Sequence, residues 1–89
     1  MNPEIFDSEM QLATSMRNQS VDAPYWAGYR HGLLRARFGR SFSTNTDHFA
    51  WLEFPDSDDP VIASLGRGYI DGINTVVTGS PDMHKRHSS

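Results

Sequence analysis

Apolar residues along this chain recur mostly at three and four residue steps, the period that lines one face of an α-helix. A first helix is predicted from Pro3 or Asp7 to Asn18, with Ile5, Met10, Leu12, Ala13 and Met16 as an imperfect stripe. Residues 18–23 read as a break, in which Asp22 is placed as an N-cap and Pro24 in the first turn of a second helix. That helix is predicted over Pro24 to Phe38, burying Trp26, Tyr29, Leu33 and Ala36, and Gly39 stands where a glycine stop belongs. After a polar connector from Ser41 to Thr46, one of Thr44, Asn45 or Thr46 caps a short third helix through about Leu52. Its apolar residues are Phe49, Ala50 and Leu52, with Trp51 beside them. Pro55 and the run Asp56-Ser57-Asp58-Asp59 break the chain again, and Asp59-Pro60 opens a fourth helix predicted to about Val77, closed by Gly79 and Pro81. Ile62, Leu65, Tyr69, Ile73 and Val76 form its stripe. Thr75-Val76-Val77-Thr78, the one β-like run, continues that stripe and is read as helix.

The expected fold is therefore all-α, a compact bundle of three to four short helices spanning residues 1–79 as a single domain, with residues 80–89 as a disordered tail. One feature of the pattern goes against helix propensity. Gly-Tyr-x-x-Gly occurs at Gly28-Tyr29-Arg30-His31-Gly32 and again, forty positions on, at Gly68-Tyr69-Ile70-Asp71-Gly72. Each helix-interior glycine costs roughly 1 kcal/mol relative to alanine, a heavy loss in a chain whose total stability is ~5–13 kcal/mol. Close approach of the second and fourth helices through their glycine strips offsets it, with the tyrosines supplying packing area.

Composition narrows the function classes. The 89 residues contain no cysteine, which excludes disulfides, thiolate metal sites and cysteine nucleophiles. No stretch reaches the length of a membrane span and the N-terminal residues lack a basic leader, so a soluble, cytoplasmic protein is expected. The net charge of −3 disfavours nucleic acid and anionic membranes as partners. Its distribution is uneven. Arg30, Arg35, Arg37 and Arg40 fall in an acid-free block, whereas residues 41–63 hold Asp47, Glu53, Asp56, Asp58 and Asp59 with no Lys or Arg. The segregation fits either internal charge complementarity or two separate contact faces.

Tests for chemistry return little. Gly66-Arg67-Gly68-Tyr69-Ile70-Asp71-Gly72 has the wrong spacing and the wrong context for a dinucleotide fingerprint. The Asp56 run lacks the sixth-position glycine and twelfth-position glutamate of a calcium loop, Val61 and Arg67 standing there instead. Asp47 and His48 are adjacent and cannot orient one another on a helix, which makes Asp47 a cap. His84 and His87 with Asp82 would form at most a weak metal site in a solvated tail. No catalytic, cofactor-binding or metal site is assigned. Tyr25, Trp26, Phe38, Phe42, Phe49, Trp51 and Phe54 exceed what a thin core can hide, so some are expected at the surface, with a homodimer or a partner-binding face as the consequence. Trp26, Arg30, Arg37 and Trp51 are the expected contact residues.

The layout of Gly28-Tyr29-x-x-Gly32, Trp51-Leu52 and Gly68-Tyr69-x-x-Gly72 resembles the ribosome modulation factor family of very small helical proteins, over roughly residues 25–75. The resemblance implies a helix-pair fold and, as an alternative function, modulation of a ribosome or RNA. The chain departs from that family in lacking its Cys-Pro-Tyr step, in being acidic where the family is basic, and in adding an acidic loop and an N-terminal helix. It is also similar in size, acidity and lack of cofactor to the short inhibitors carried by phages and other mobile elements, anti-CRISPR proteins among them. The function expected from the sequence is thus a non-enzymatic interaction module that docks on a macromolecular, preferably protein, partner.

Overall fold

Four α-helices appear among the described residues, 2–19 and 22–78, of the computed structural model. They are α1 (Pro3–Asn18), α2 (Ala23–Phe38), α3 (Asn45–Glu53) and α4 (Pro60–Thr78), and 3₁₀ turns at Gly39–Ser41 and Phe54–Asp56 flank α3. The boundaries follow the punctuation of the sequence. Asn2 caps α1 by accepting from the Glu4 amide at 2.7 Å, and Asp59 caps α4 by accepting from the Val61 amide at 2.8 Å. Gly39 ends α2 at φ 61° and ψ −138°, a conformation that side chains oppose. The expected closure of α4 by Gly79 and Pro81, and the tail that follows, lie outside the described residues.

Asp22 and Asp47 differ from the caps expected of them, while Thr44, one of the three candidates, caps α3. Asp22 occupies the N-cap position of α2, but its backbone is left-handed at φ 52° and its side chain makes no capping bond, so Pro24 alone marks the start. At α3 the cap is Thr44, whose hydroxyl accepts from the Asp47 amide at 3.1 Å. Asp47 is the recipient of the cap and adds negative charge to the first turn.

The centre of the molecule is the contact of α2 with α4. A Cβ placed on Gly28 would collide with the carbonyl of Leu65, on Gly32 with that of Tyr69, on Gly68 with that of Tyr25, and on Gly72 with that of Tyr29. These are backbone atoms, which cannot swing away as a side chain could. The pairs advance together along both helices, so α2 and α4 run parallel. They also exchange under the forty-residue repeat: Leu65 is the equivalent of Tyr25, and Tyr69 of Tyr29. The two Gly-Tyr-x-x-Gly segments are thus related by a pseudo-two-fold axis along the helix pair, the small-x-x-x-small solution that lets backbones touch. The glycine strip is the most buried line of α4, together with Ala63, Tyr69 and Thr75, while Ile62, Leu65, Ile73 and Val76 flank it half-buried. Gly66 adds a third contact, against Phe54 and Pro55. Packing therefore accounts for all three glycines of the fingerprint-like run.

α1 covers α2 on one side. Phe6 and Ala13 meet Trp26, Tyr29 and Leu33 in the core, and Ala36, expected there, is only half-buried. Glu9 is buried in the same interface and accepts from the Tyr29 hydroxyl at 2.5 Å; Thr75 Oγ1 lies 3.0 Å from that hydroxyl and donates to the Asp71 carbonyl. Tyr25 donates to Asp71 at 2.5 Å. Burying a carboxylate is costly without a donor, so the Tyr29 bond fixes the seat of α1 as well as stabilising it.

α3 covers the other side, with the opposite face to the one predicted. Phe49, Ala50 and Leu52 point outward, and Trp51 is the residue that turns in, because the hydrophobic space available is the aromatic cleft beside His31 and Tyr69.

Alanine at Gly68 or Gly72 is expected to cost more than about 3 kcal/mol even after the gain in helix propensity, since overpacking falls on backbone. Alanine at Gly39 meets no atom within 4 Å and should cost only the ~1–3 kcal/mol of its unfavourable φ. Urea unfolding followed by circular dichroism separates the two. Phenylalanine at Tyr29 should lose roughly 1–3 kcal/mol by leaving Glu9 without its donor.

A candidate interaction surface around Trp51

Trp51 reaches its position because α3 runs antiparallel to α2 across the α2/α4 cleft. The start of α3 is held level with Arg35, whose Nη2 donates to Asn45 Oδ1 at 2.8 Å and whose Nε donates to the Ser43 carbonyl at 3.2 Å. The end of α3 is held by Phe54 and Pro55 against Gly66. Between these points the Trp51 ring stacks on His31, with centroids 4.2 Å apart and planes 13° apart, and lies 5.0 Å from both Tyr69 and Phe54. Phe42 closes edge-on against His31 at 4.7 Å. His48, one turn before Trp51, sets Nδ1 2.6 Å from the Tyr69 hydroxyl. With the imidazole protonated at Nε2, the hydroxyl donates to Nδ1.

Electrostatics favour the neutral forms of this cluster. Burial lowers the pKa of His31 from its ordinary 6.5, helped by the charge of Arg30 and opposed by Asp47. His48 is lowered by burial and by Arg35, and Tyr69 is raised by burial, with Arg35 opposing and Asp47 assisting. The groups bond to and stack on one another, His48 with the Tyr69 hydroxyl and His31 with Trp51.

Several large apolar side chains of α2, α3 and the turn between them are exposed. Phe49 is 60% exposed, Phe38 51%, Leu52 39% and Phe42 36%. His31, Leu34 and Phe38 fall on one stripe of α2, and Phe42 follows it in the turn after the helix. Phe38 also meets Phe6 edge-on at 6.1 Å, with the Arg37 guanidinium 5.1 Å from the Phe6 ring and 6.0 Å from Phe38.

The four expected contact residues are therefore not one site. Trp51 lies in the aromatic stack, and Arg37 lies at the C-terminal end of α2 beside Phe6 and Phe38. Trp26 is only 6% exposed, packed against Tyr25 and Tyr29 at 5.1 and 5.2 Å, which removes it from the surface: its stripe faces α1. Arg30 lies on the α1 side, at the edge of an open groove of about 570 Å³ bordered by Met10 and the uncharged strip Gln11, Thr14, Ser15 and Asn18. Its Nε is buried there with no acceptor among the described residues.

The arginine block also divides. Arg35 is buried in the α2–α3 junction, and among the described residues no ion pair joins Arg30, Arg35 or Arg40 to an acid of residues 41–63. What ties the basic helix to the acidic segment is Arg35 bonded to a carbonyl and an amide. Sequence reasoning passed over His31, His48 and Tyr69 as a unit. The available signal was spacing: His48 and Trp51 lie three apart on α3, and His31 and Arg35 four apart on α2, so each pair faces one way.

Among the described residues no group of three or more His, Asp or Glu is placed to hold a metal, and no helix is long and apolar enough to cross a membrane. The expected His84 and His87 site lies outside the described residues. Comparison with models of protein families, with curated proteins and with solved structures finds no match to this chain.

Because both histidines have lowered values in the folded state, the unfolded chain takes up protons that the folded chain refuses as the pH falls through about 6.5. Stability conferred by the neutral rings is complete above that pH and is lost on the acid side. Thermal melts should show the melting temperature falling between pH 7 and pH 5, and the H31F/H48Q double variant should flatten that dependence relative to the parent.

Proposed function

We propose that this chain is a small non-enzymatic docking protein that binds a macromolecular partner through the aromatic strip centred on Trp51, as an inhibitor or modulator of the kind that phages and other mobile elements encode. The observation that carries this reading is the exposure of Phe38, Phe42, Phe49 and Leu52 in a chain whose interior is already closed by glycine packing. Fully burying a side chain of this size gains roughly 1.5–3 kcal/mol, and a helix that aims Phe49 and Leu52 at water while Trp51 packs inward gives up that gain unless a partner recovers it. Large aromatics beside arginine, here Phe38 beside Arg37, are the composition of protein contact sites.

A protein partner is favoured over RNA. Binding the phosphate backbone needs several free cations, and Arg35, one of the four in the arginine block, is committed to the α2–α3 junction. Arg30, on the α1 side, is left as a second contact of a bound protein.

The test is a tagged copy expressed in its native host. Whatever protein co-purifies should be lost with the F49A/L52A variant, whose two substitutions are at exposed positions and should leave the helical circular dichroism intact. Alanine at Arg37 should weaken capture, with alanine at Arg30 having the smaller effect. Capture of the same proteins by the parent and by F49A/L52A would refute a role for the strip.

A further inference from the structure

We propose that the groove between α1 and α2 is a peptide-binding site, and that its occupant is an extended segment of a partner protein with one aspartate or glutamate seated against Arg30. The inference deepens the reading of Arg30 as a protein contact by naming what that contact takes. It uses no residue of the surface around Trp51.

The two helices are antiparallel, since Phe6 meets Phe38 while Glu9 meets Tyr29. Met10 and Arg30 both line the groove, which follows α1 on to Asn18, about 12 Å of helix axis. An extended chain rises about 3.3 Å per residue, so that length seats roughly four residues of peptide. Gln11, Thr14, Ser15 and Asn18 border the groove at successive turns, and each carries a group that can donate and a group that can accept. Among the described residues these four side chains make one hydrogen bond, in which Ser15 Oγ accepts from Gln19 Nε2 at 2.8 Å. Such a row suits an extended backbone, which alternates N–H and C=O.

Arg30 supplies the charge. Its Nε is buried with no acceptor among the described residues, so folding has already stripped part of this guanidinium of water. A carboxylate in the groove meets a cation whose desolvation is largely complete before binding, and gains a charge-assisted contact there. The neighbouring acids limit what the peptide carries. Glu9 is engaged by the Tyr29 hydroxyl, and exposed Asp7 and Asp22 stand beyond the two ends of the groove without lining it. One acidic residue therefore matches Arg30, whereas a segment with several would be repelled by Asp7 and Asp22. A phosphate backbone would need more cations than the one this groove offers, and a small free anion would leave the row from Gln11 to Asn18 unused.

The experiment is nuclear magnetic resonance of the nitrogen-labelled full chain, titrated with three probes. They are a capped hexapeptide with one central glutamate among alanines and serines, its glutamine counterpart, and sodium acetate. The glutamate peptide is expected to shift the amides between Met10 and Asn18 and the Arg30 side chain, with a Kd of about 1 mM or lower. The glutamine peptide should bind about tenfold more weakly, for want of the charge-assisted contact. R30Q should bind the two peptides equally, R30K should keep part of the preference because it retains charge without the planar fork, and R40Q should keep all of it. Equal binding of both peptides by R30Q is a result that mere loss of structure cannot give.

A parent chain that binds both peptides equally, or binds neither, overturns the site, and so does a preference that survives R30Q. Acetate binding as tight as that of the glutamate peptide would make the ligand a free anion and overturn the peptide. If the groove ignores the peptides while F49A/L52A still loses a captured host protein, the groove is wrong and the docking surface stands. If the groove binds the glutamate peptide while capture is unaffected by F49A/L52A, the docking surface is wrong and the groove stands.

Discussion

Four missing side chains hold this structure together. At Gly28, Gly32, Gly68 and Gly72 the space that a Cβ would take is filled by the carbonyl groups of the facing helix, so α2 and α4 pack backbone to backbone. The energy lost in putting glycine inside helices is recovered in dispersion contacts along a line where no rotamer has to be frozen. Close approach also determines direction and register, since a shift of either helix by one residue would drive a side chain into a carbonyl. Everything else in the fold attaches to a pair that is already aligned.

The attachments follow the pseudo-symmetry of that pair. Tyr29 and Tyr69 are repeat equivalents, both fully buried as rings, and each hydroxyl must find a partner. α1 supplies Glu9 to Tyr29, and α3 supplies His48 to Tyr69. The two covering helices thus solve the same problem with different chemistry. The α1 solution is a buried carboxylate within a sizeable apolar interface; the α3 solution is an imidazole at the edge of an aromatic stack. The consequence is uneven stability. No residue of α3 is fully buried, whereas α1 buries Phe6, Glu9 and Ala13. Of the two, α3 has less to lose on opening, which makes it the element whose attachment a change of charge at His31 or His48 most affects.

How far the sequence discloses this depends on the kind of information involved. Helix positions are legible because Asn2, Thr44, Asp59-Pro60 and Gly39 are local signals, read within a few residues of where they act. The glycine crossing is legible because the motif repeats and violates propensity, which calls for a reason. The faces of α3 are not legible: nine residues containing Phe, Ala, Trp and Leu in succession have no single apolar side, and which one turns inward is decided by the cleft that α2 and α4 create. Trp26 and Trp51 illustrate the point. Both were equal candidates for the surface, and what separates them is that Trp26 falls on the α2 stripe facing α1, a tertiary fact. Charge segregation was legible as a pattern but not as a mechanism, since Arg35 joins the basic helix to the acidic segment through a carbonyl and an amide.

The orientation of α3 then explains why the segregation persists. With Arg35 withdrawn into the junction, no ion pair among the described residues joins Glu53 or Asp56 to a cation, or Arg40 to an acid. An antiparallel α3 carries Glu53 and Asp56 away from the C-terminal end of α2, where Arg40 stands. The same packing that turns Trp51 inward to stack on His31 turns Phe49 and Leu52 outward, so the separation of charge and the exposure of the aromatic strip have one cause. That cause is the cleft left between two helices brought into contact by glycine, too narrow to take more than one face of the helix laid across it.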